Sequence, residues 1–90
     1  MSEKRDRMQI IHDILASIQK RGGKIKPTHL LYKSNLSYQR MNLYLDELIK
    51  KGLVAKDFDE TGKFYVLTDK GYTFLAEFQK INEFTKSFGL

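Results

Sequence analysis

The 90-residue sequence predicts one α+β domain, mostly helical, that ends in a helix directed away from the rest. Three observations predict it. From Pro27 to Gly52 (PTHLLYKSNLSYQRMNLYLDELIKKG), apolar residues recur at helical spacing on both sides of a short polar break. Two β-rich runs follow, Leu53 to Phe58 and Lys63 to Leu67. Between them Asp59-Glu60-Thr61-Gly62 reads as a hairpin turn. From Thr68 onward the pattern is helical again and unusually rich in phenylalanine.

The elements follow in order. The first helix is expected from about Lys4 to Arg21, with Ile11, Ile14, Leu15 and Ile18 in one stripe that Met8 extends toward the N-terminus. Gly22-Gly23 ends it, behind Lys20 and Arg21, whose cations suit the negative end of the helix dipole. Lys24-Ile25-Lys26 reads as a very short extended piece. Pro27 opens a short helix to Lys33 at the first position, where its missing N–H costs nothing. Leu30 and Leu31 supply that helix's buried contacts.

Ser34-Asn35-Leu36 is the turn, and Asn35 suits a left-handed backbone. A second helix runs from about Ser37, a good N-cap, to Lys51. Met41, Tyr44, Leu45 and Leu48 share its core face. Gln39, Leu43, Asp46 and Lys50 point the other way, flanked by Arg40 and Asn42. This is a helix-turn-helix, and the hairpin after it is a wing. Thr68-Asp69 caps a last helix through about Lys86.

Composition bounds what the domain can do. At 41% hydrophobic and 30% charged residues it is an ordinary globular chain. With no cysteine, disulfides and thiolate metal sites are excluded. His12 and His29 fall on different predicted helices, and no residue set suggests a metal, a cofactor, a small-molecule effector or an active site, so a non-enzyme is expected. MSEKRDR is followed by no long apolar run, so the expectation is a cytoplasmic protein with no signal peptide and no membrane partner. Residues 1 to 56 carry 12 Lys/Arg against 5 Asp/Glu, whereas 57 to 90 carry 4 against 6. The positive charge therefore accompanies the helix-turn-helix. Either it meets a polyanion such as nucleic acid, or it only keeps a small protein in solution.

The order helix, short strand, helix, turn, helix, strand, turn, strand, helix is that of a winged helix-turn-helix. Tyr32-Lys33-Ser34-Asn35-Leu36-Ser37-Tyr38 resembles the turn region of small archaeal winged-helix proteins. So does Tyr44-Leu45-Asp46-Glu47-Leu48 followed by Lys51-Gly52-Leu53, and Tyr65-Val66-Leu67-Thr68-Asp69-Lys70-Gly71 looks like that family's junction between strand and last helix. The likeness runs from Met8 to about Leu75. Within the family the sequence is similar to Sulfolobus nucleoid-associated proteins that dimerise through a C-terminal helix. That resemblance implies sequence-tolerant binding of double-stranded DNA and a coiled-coil homodimer. The chain departs from it in a last helix that is short and rich in phenylalanine.

The candidate contacts lie mostly in the first half of the helix over residues 37–51. Arg40, in its first turn, can reach a phosphate or pair bidentately with guanine. Gln39 can read adenine or bind phosphate, or idle on the surface. Ser37 and Tyr38 can donate to phosphate, Ser37 being first a cap and Tyr38 able to pack partly on the core. Asn42 and Leu43 are further candidates, Leu43 for a thymine methyl. Asp46 and Glu47 repel a phosphate backbone, which confines contact to the earlier turns.

Lys33 and Thr28 are expected backbone clamps, with Lys24 and Lys26 beside them. Lys63 is the basic residue of the wing, although Asp57, Asp59 and Glu60 weaken the case for wing insertion. Lys4, Arg5 and Arg7 form either a basic arm or a frayed helix start. Tyr32, Tyr44 and Tyr65 read as core or rim residues.

In the last helix, Phe74, Phe78, Ile81, Thr85 and Phe88 keep the 4-3-4-3 spacing of a heptad seam, with Leu75 and Phe84 beside it. Only Phe74 and Leu75 are needed by the domain's own core. The residues beyond about Phe78 are expected to meet a second copy. The reading divides the chain into a winged helix-turn-helix domain over 1–75 and a dimerisation helix over 69–88. The rival is a winged-helix module that binds protein, inside transcription or replication machinery.

Overall fold

A computed structural model of the chain describes residues 5–90. Seven elements follow in order: α1 (Arg7–Lys20), β1 (Lys24–Ile25), α2 (Pro27–Ser34), α3 (Tyr38–Lys50), β2 (Val54–Asp59), β3 (Gly62–Leu67) and α4 (Asp69–Ser87). The three strands form one antiparallel sheet in the order β1-β3-β2, so β3 is central. This is the winged helix-turn-helix arrangement that the element order predicts.

The helices α1, α3 and α4 each start where a side chain satisfies a free N–H group, whereas α2 has no such side-chain bond. Asp6 accepts from the Gln9 N–H at 2.9 Å, so within the described residues α1 opens at Arg7; the expected start at Lys4 lies outside them. Ser37 accepts from the Arg40 N–H at 3.2 Å and Thr68 from the Gly71 N–H at 3.1 Å. Pro27 stands at the start of α2, as expected. Asn35 ends α2 in the left-handed region at φ 56°, ψ 37°, which turns the chain into α3.

The core is a single cluster. Ile10, Ile11, Ile14, Leu15 and Ile18 come from α1, Leu30 from α2, and Met41, Leu45 and Leu48 from α3. Ile25, Val54, Tyr65 and Leu67 come from the sheet, Leu36 from the turn, and Leu75 from α4. The expected α1 stripe needs one correction. Ile10, not Met8, extends it, because a seven-residue step back from Leu15 leaves Met8 half-exposed at the helix start. Tyr65 is buried and Tyr44 partly so, but Tyr32 is 84% exposed and Tyr38 is also exposed. Tyr32 stands two residues from the buried Leu30 on α2, about 200° round the helix, and so faces outward.

The junction after α3 fixes where α4 begins. The Thr68 hydroxyl donates to the Gly52 carbonyl at 2.7 Å while accepting from Gly71. Lys70 Nζ reaches the Lys51 carbonyl at 2.6 Å. A Cβ on Gly71 would collide with the Leu53 carbonyl oxygen and the Leu67 side chain. Alanine ordinarily stabilises a helix by about 1 kcal/mol relative to glycine. Overpacking against a fixed backbone costs about 1–3 kcal/mol, so the collision outweighs the propensity. Gly71→Ala is therefore expected to lower stability in urea denaturation; an unchanged or raised midpoint would contradict the close approach.

Candidate nucleic-acid interface

The exposed side of α3 starts at its cap. Tyr38, Gln39, Arg40 and Leu43 are exposed within the first turn and a half. Asn42 is half-buried and donates to the Tyr38 carbonyl at 3.1 Å, so its amide is partly occupied within the helix. Ser37 keeps its hydroxyl in the cap. Thr28 and Lys33 are exposed on α2. Lys63 is half-buried, its ammonium 5.6 Å from the centre of the Tyr65 ring.

Arg40 makes no ion pair with an acid among the described residues, and it lines an open cleft with Arg7, Leu43, Tyr44 and Glu47. Arg7 belongs to α1 and pairs with Glu47 across that cleft. The hydrogen bond from Arg7 is the first reason the Glu47 carboxyl sits below its ordinary range. One of the two acids expected to repel a polyanion is thereby countered by a cation from another helix. The sequence reading did not find this pair, since 40 residues separate its members.

The suggested basic arm is not an arm within the described residues; Lys4 lies outside them. Arg5 donates to the Asp13 carboxylate at 2.8 Å and to the Ser34 carbonyl at 3.0 Å, which ties the start of α1 to the helix-turn-helix turn. Partial burial pushes the Asp13 carboxyl up. Hydrogen bonds from Arg5, His12 and Gln9 outweigh this and hold it below its ordinary value.

The wing is a tight hairpin paired to its tip, Asp59 opposite Gly62. Asp59 accepts from the Thr61 hydroxyl at 2.6 Å and from the Thr61 N–H at 2.8 Å, and lies 3.5 Å from both Lys24 and Lys26. The Thr61 hydrogen bonds, then the two lysines, hold its carboxyl far below the ordinary range. Lys24 also sits over the Phe64 ring at 3.9 Å. Lys24 and Lys26, expected beside the backbone clamps, are instead occupied in bracing the wing.

Along α4 the seam residues differ in environment. Phe74 packs on the core, and Phe78 stacks on His12 with ring centroids 4.4 Å apart. Ile81, Phe84 and Phe88 are 64%, 65% and 67% exposed. Among the described residues no group of three or more His, Cys, Asp or Glu side chains could hold a metal ion. No described helix is long and apolar enough to cross a membrane.

A helix-turn-helix with a braced wing and a cationic first turn defines the class. The family model described as Winged helix-turn-helix matches residues 4–86, and the chain belongs to that family. The crystal structure of Sso10a-2, a DNA-binding protein from Sulfolobus solfataricus, is similar at 31% identity and a TM-score of 0.75. The match covers 94% of this chain and 90% of that one. A winged-helix DNA-binding protein from STIV matches at 24% identity and a TM-score of 0.66, over 92% of both chains. A MarR family transcriptional regulator from Silicibacter pomeroyi matches at 24% identity and a TM-score of 0.76. There the match covers 90% of this chain but 56% of that one, and the likeness is one of fold. No curated protein sequence matches the chain.

The carboxyls of Asp13 and Asp59 lie below their ordinary 3.8 in the folded chain. Their stabilising contribution is therefore complete above about pH 4 and lost as the pH falls through the folded values. Asp13→Asn should lose less stability than the parent between about pH 5 and about pH 2, read by urea denaturation at each pH. Parallel curves would show that Asp13 is not held down in the folded state.

Proposed function

We propose that the chain binds double-stranded DNA as a homodimer, without catalysis, either to regulate transcription or to organise the nucleoid in the cytoplasm. The recognition helix α3 enters the major groove by its N-terminal half. One observation carries the reading: Arg40 is exposed in the first turn of α3 and makes no ion pair with an acid among the described residues, while Glu47 further along is countered by Arg7. Gln39, Tyr38, Ser37, Asn42 and Leu43 complete the contact face, with Lys33 and Thr28 on the adjoining backbone. The likeness to Sso10a-2, described as a DNA-binding protein, supports it. The domain over 1–75 does the binding. The helix over 69–88 pairs two copies through Ile81, Phe84 and Phe88, with Phe74 and Phe78 at the root of the seam. Apolar exposure of this extent on one helix face supports that role.

The lysines and arginines neutralise phosphates and release counterions, so affinity falls steeply with salt. Arg40→Ala is expected to weaken duplex binding by roughly tenfold or more and to leave the circular dichroism spectrum unchanged. Full affinity in that variant would remove the core of the reading. The exposed Leu43 is what favours the rival, a protein-binding module. A labelled duplex that fails to bind at low salt would support that rival.

Phe84→Asp tests the pairing without disturbing the Phe78–His12 stack. The parent is expected to have the mass of a dimer in sedimentation equilibrium and the variant that of a monomer. A monomeric parent would end the dimer proposal.

A further inference from the structure

A second cleft opens between α1 and the end of α2, and it shares no residue with the one that Arg40 lines. Asp13, Ala16, Ser17 and Lys20 follow at i, i+3, i+4 and i+7, so they share one face of α1 beside its buried stripe. Lys33 and Asn35 bound the cleft from the other side, and its volume is about 370 Å³. Ala16 keeps it open, since a single methyl group stands there among longer side chains. Asp13 is the one carboxylate among the described residues of its lining, and Arg5 holds it at 2.8 Å. Lys20 and Lys33 are exposed and make no ion pair with an acid among the described residues. The cleft therefore carries a net positive charge, and its two lysines come from different helices.

We propose that this cleft binds a small, multiply charged phosphate, and that the bound anion weakens DNA binding by engaging Lys33. The coupling rests on the DNA-binding reading above, in which Lys33 meets the backbone; the anion site does not. Size and charge select the occupant. The volume lies near the lower end of the range for small-molecule sites, about 300–1,000 Å³, which suits a group the size of pyrophosphate. The donors favour phosphate over carboxylate. A planar carboxylate is best held by a bidentate guanidinium, and Arg5 has its two terminal nitrogens committed to Asp13 and to the Ser34 carbonyl. Lysine ammoniums act as point charges and suit phosphate oxygens. Asn35, exposed at the rim on its left-handed backbone, adds a neutral amide donor. An anion between Lys20 and Lys33 places negative charge beside the turn of the helix-turn-helix. By reciprocity, DNA held at Lys33 weakens the anion in the same measure.

The test titrates the full chain with pyrophosphate by calorimetry, in magnesium-free buffer at an ionic strength held constant with sodium chloride. The parent is expected to take up one pyrophosphate per chain. Lys20→Ala is expected to bind it about tenfold more weakly, the loss of one charge-assisted contact. Ala16→Leu fills the cleft without changing charge and is expected to abolish uptake. Ala16 is partly buried against the core, so the variant's circular dichroism and urea midpoint are read alongside. If the leucine unfolds the chain, Lys20→Ala, at an exposed position, decides the outcome. A labelled duplex is then titrated with and without saturating pyrophosphate at equal ionic strength. The parent's affinity for it is expected to fall several-fold with pyrophosphate, and that of Ala16→Leu to stay the same.

No uptake of pyrophosphate by the parent, or equal uptake by the parent and both variants, would overturn the proposal and leave the DNA-binding reading standing. So would a parent whose duplex affinity ignores bound pyrophosphate. A loss of duplex affinity in Ala16→Leu with no pyrophosphate present would put the cleft inside the DNA interface and overturn the proposal as well. A parent that takes up pyrophosphate in the cleft but binds no duplex at low salt would remove the DNA-binding reading, and the coupling with it, and leave the anion site standing.

Discussion

The contact on which the rest of this fold depends is the approach of α4 to the end of α3. The Thr68 hydroxyl stands between the Gly52 carbonyl and the Gly71 N–H, so one side chain closes α3 and opens α4. Gly71 has no Cβ, and that absence lets the helix lie directly on the Leu53 carbonyl and the Leu67 side chain. The hairpin leaves at Leu53 and returns at Leu67, so its base is pinned by the same few atoms. The recognition helix, the wing and the pairing helix thus radiate from one small region. Their relative angles are set by hydrogen bonds rather than by a flexible connection.

A second constraint is the sorting of charge. Three of the acids near the helix-turn-helix and wing are held by partners. Glu47 is taken by Arg7, Asp13 by Arg5, and Asp59 by Thr61 with Lys24 and Lys26. Exposed ion pairs of this kind contribute little to stability. Their larger effect is on the field, since each cancels a negative charge locally, and the Arg7–Glu47 pair does so in the cleft that Arg40 lines. The basic excess of the first 56 residues therefore acts through the cations that remain without an acid.

Much of the fold was legible in the sequence because its signals are local. Caps at Ser37 and Thr68, the proline at the start of α2, the left-handed Asn35 and the apolar spacing of α1 and α3 each depend on a few neighbouring residues. The errors came where a distant partner decides the outcome. Met8 and Ile10 lie equally well on a helical stripe, and only the packing of the other elements buries Ile10. Tyr32 carries an aromatic ring that composition sends inward, yet it is exposed while Leu30 on the same helix is buried. The acidic wing looked unfavourable for DNA because its charges were counted along the chain. The hairpin register, once known, divides them between two faces. The pairing of Arg7 with Glu47 joins residues 40 apart and has no local signature. In the candidate site, Arg40, Gln39 and Leu43 were accessible to reasoning from helical periodicity, whereas the engagement of Lys24 and Lys26 was not.

The helix α4 is continuous from the buried Leu75 to the exposed Ile81 and Phe84. No break separates the part that belongs to the domain from the part that faces outward. Angular information therefore passes along it without loss: each residue added or removed between Leu75 and Ile81 would turn the outer face by about 100° and shift it by about 1.5 Å. A single insertion would swing the phenylalanines well to one side of their present line, and four would nearly restore their direction at a greater distance. The helix is in this sense a graduated rod, on which the length of a few turns sets how far and in what direction the outer apolar face stands from the recognition helix.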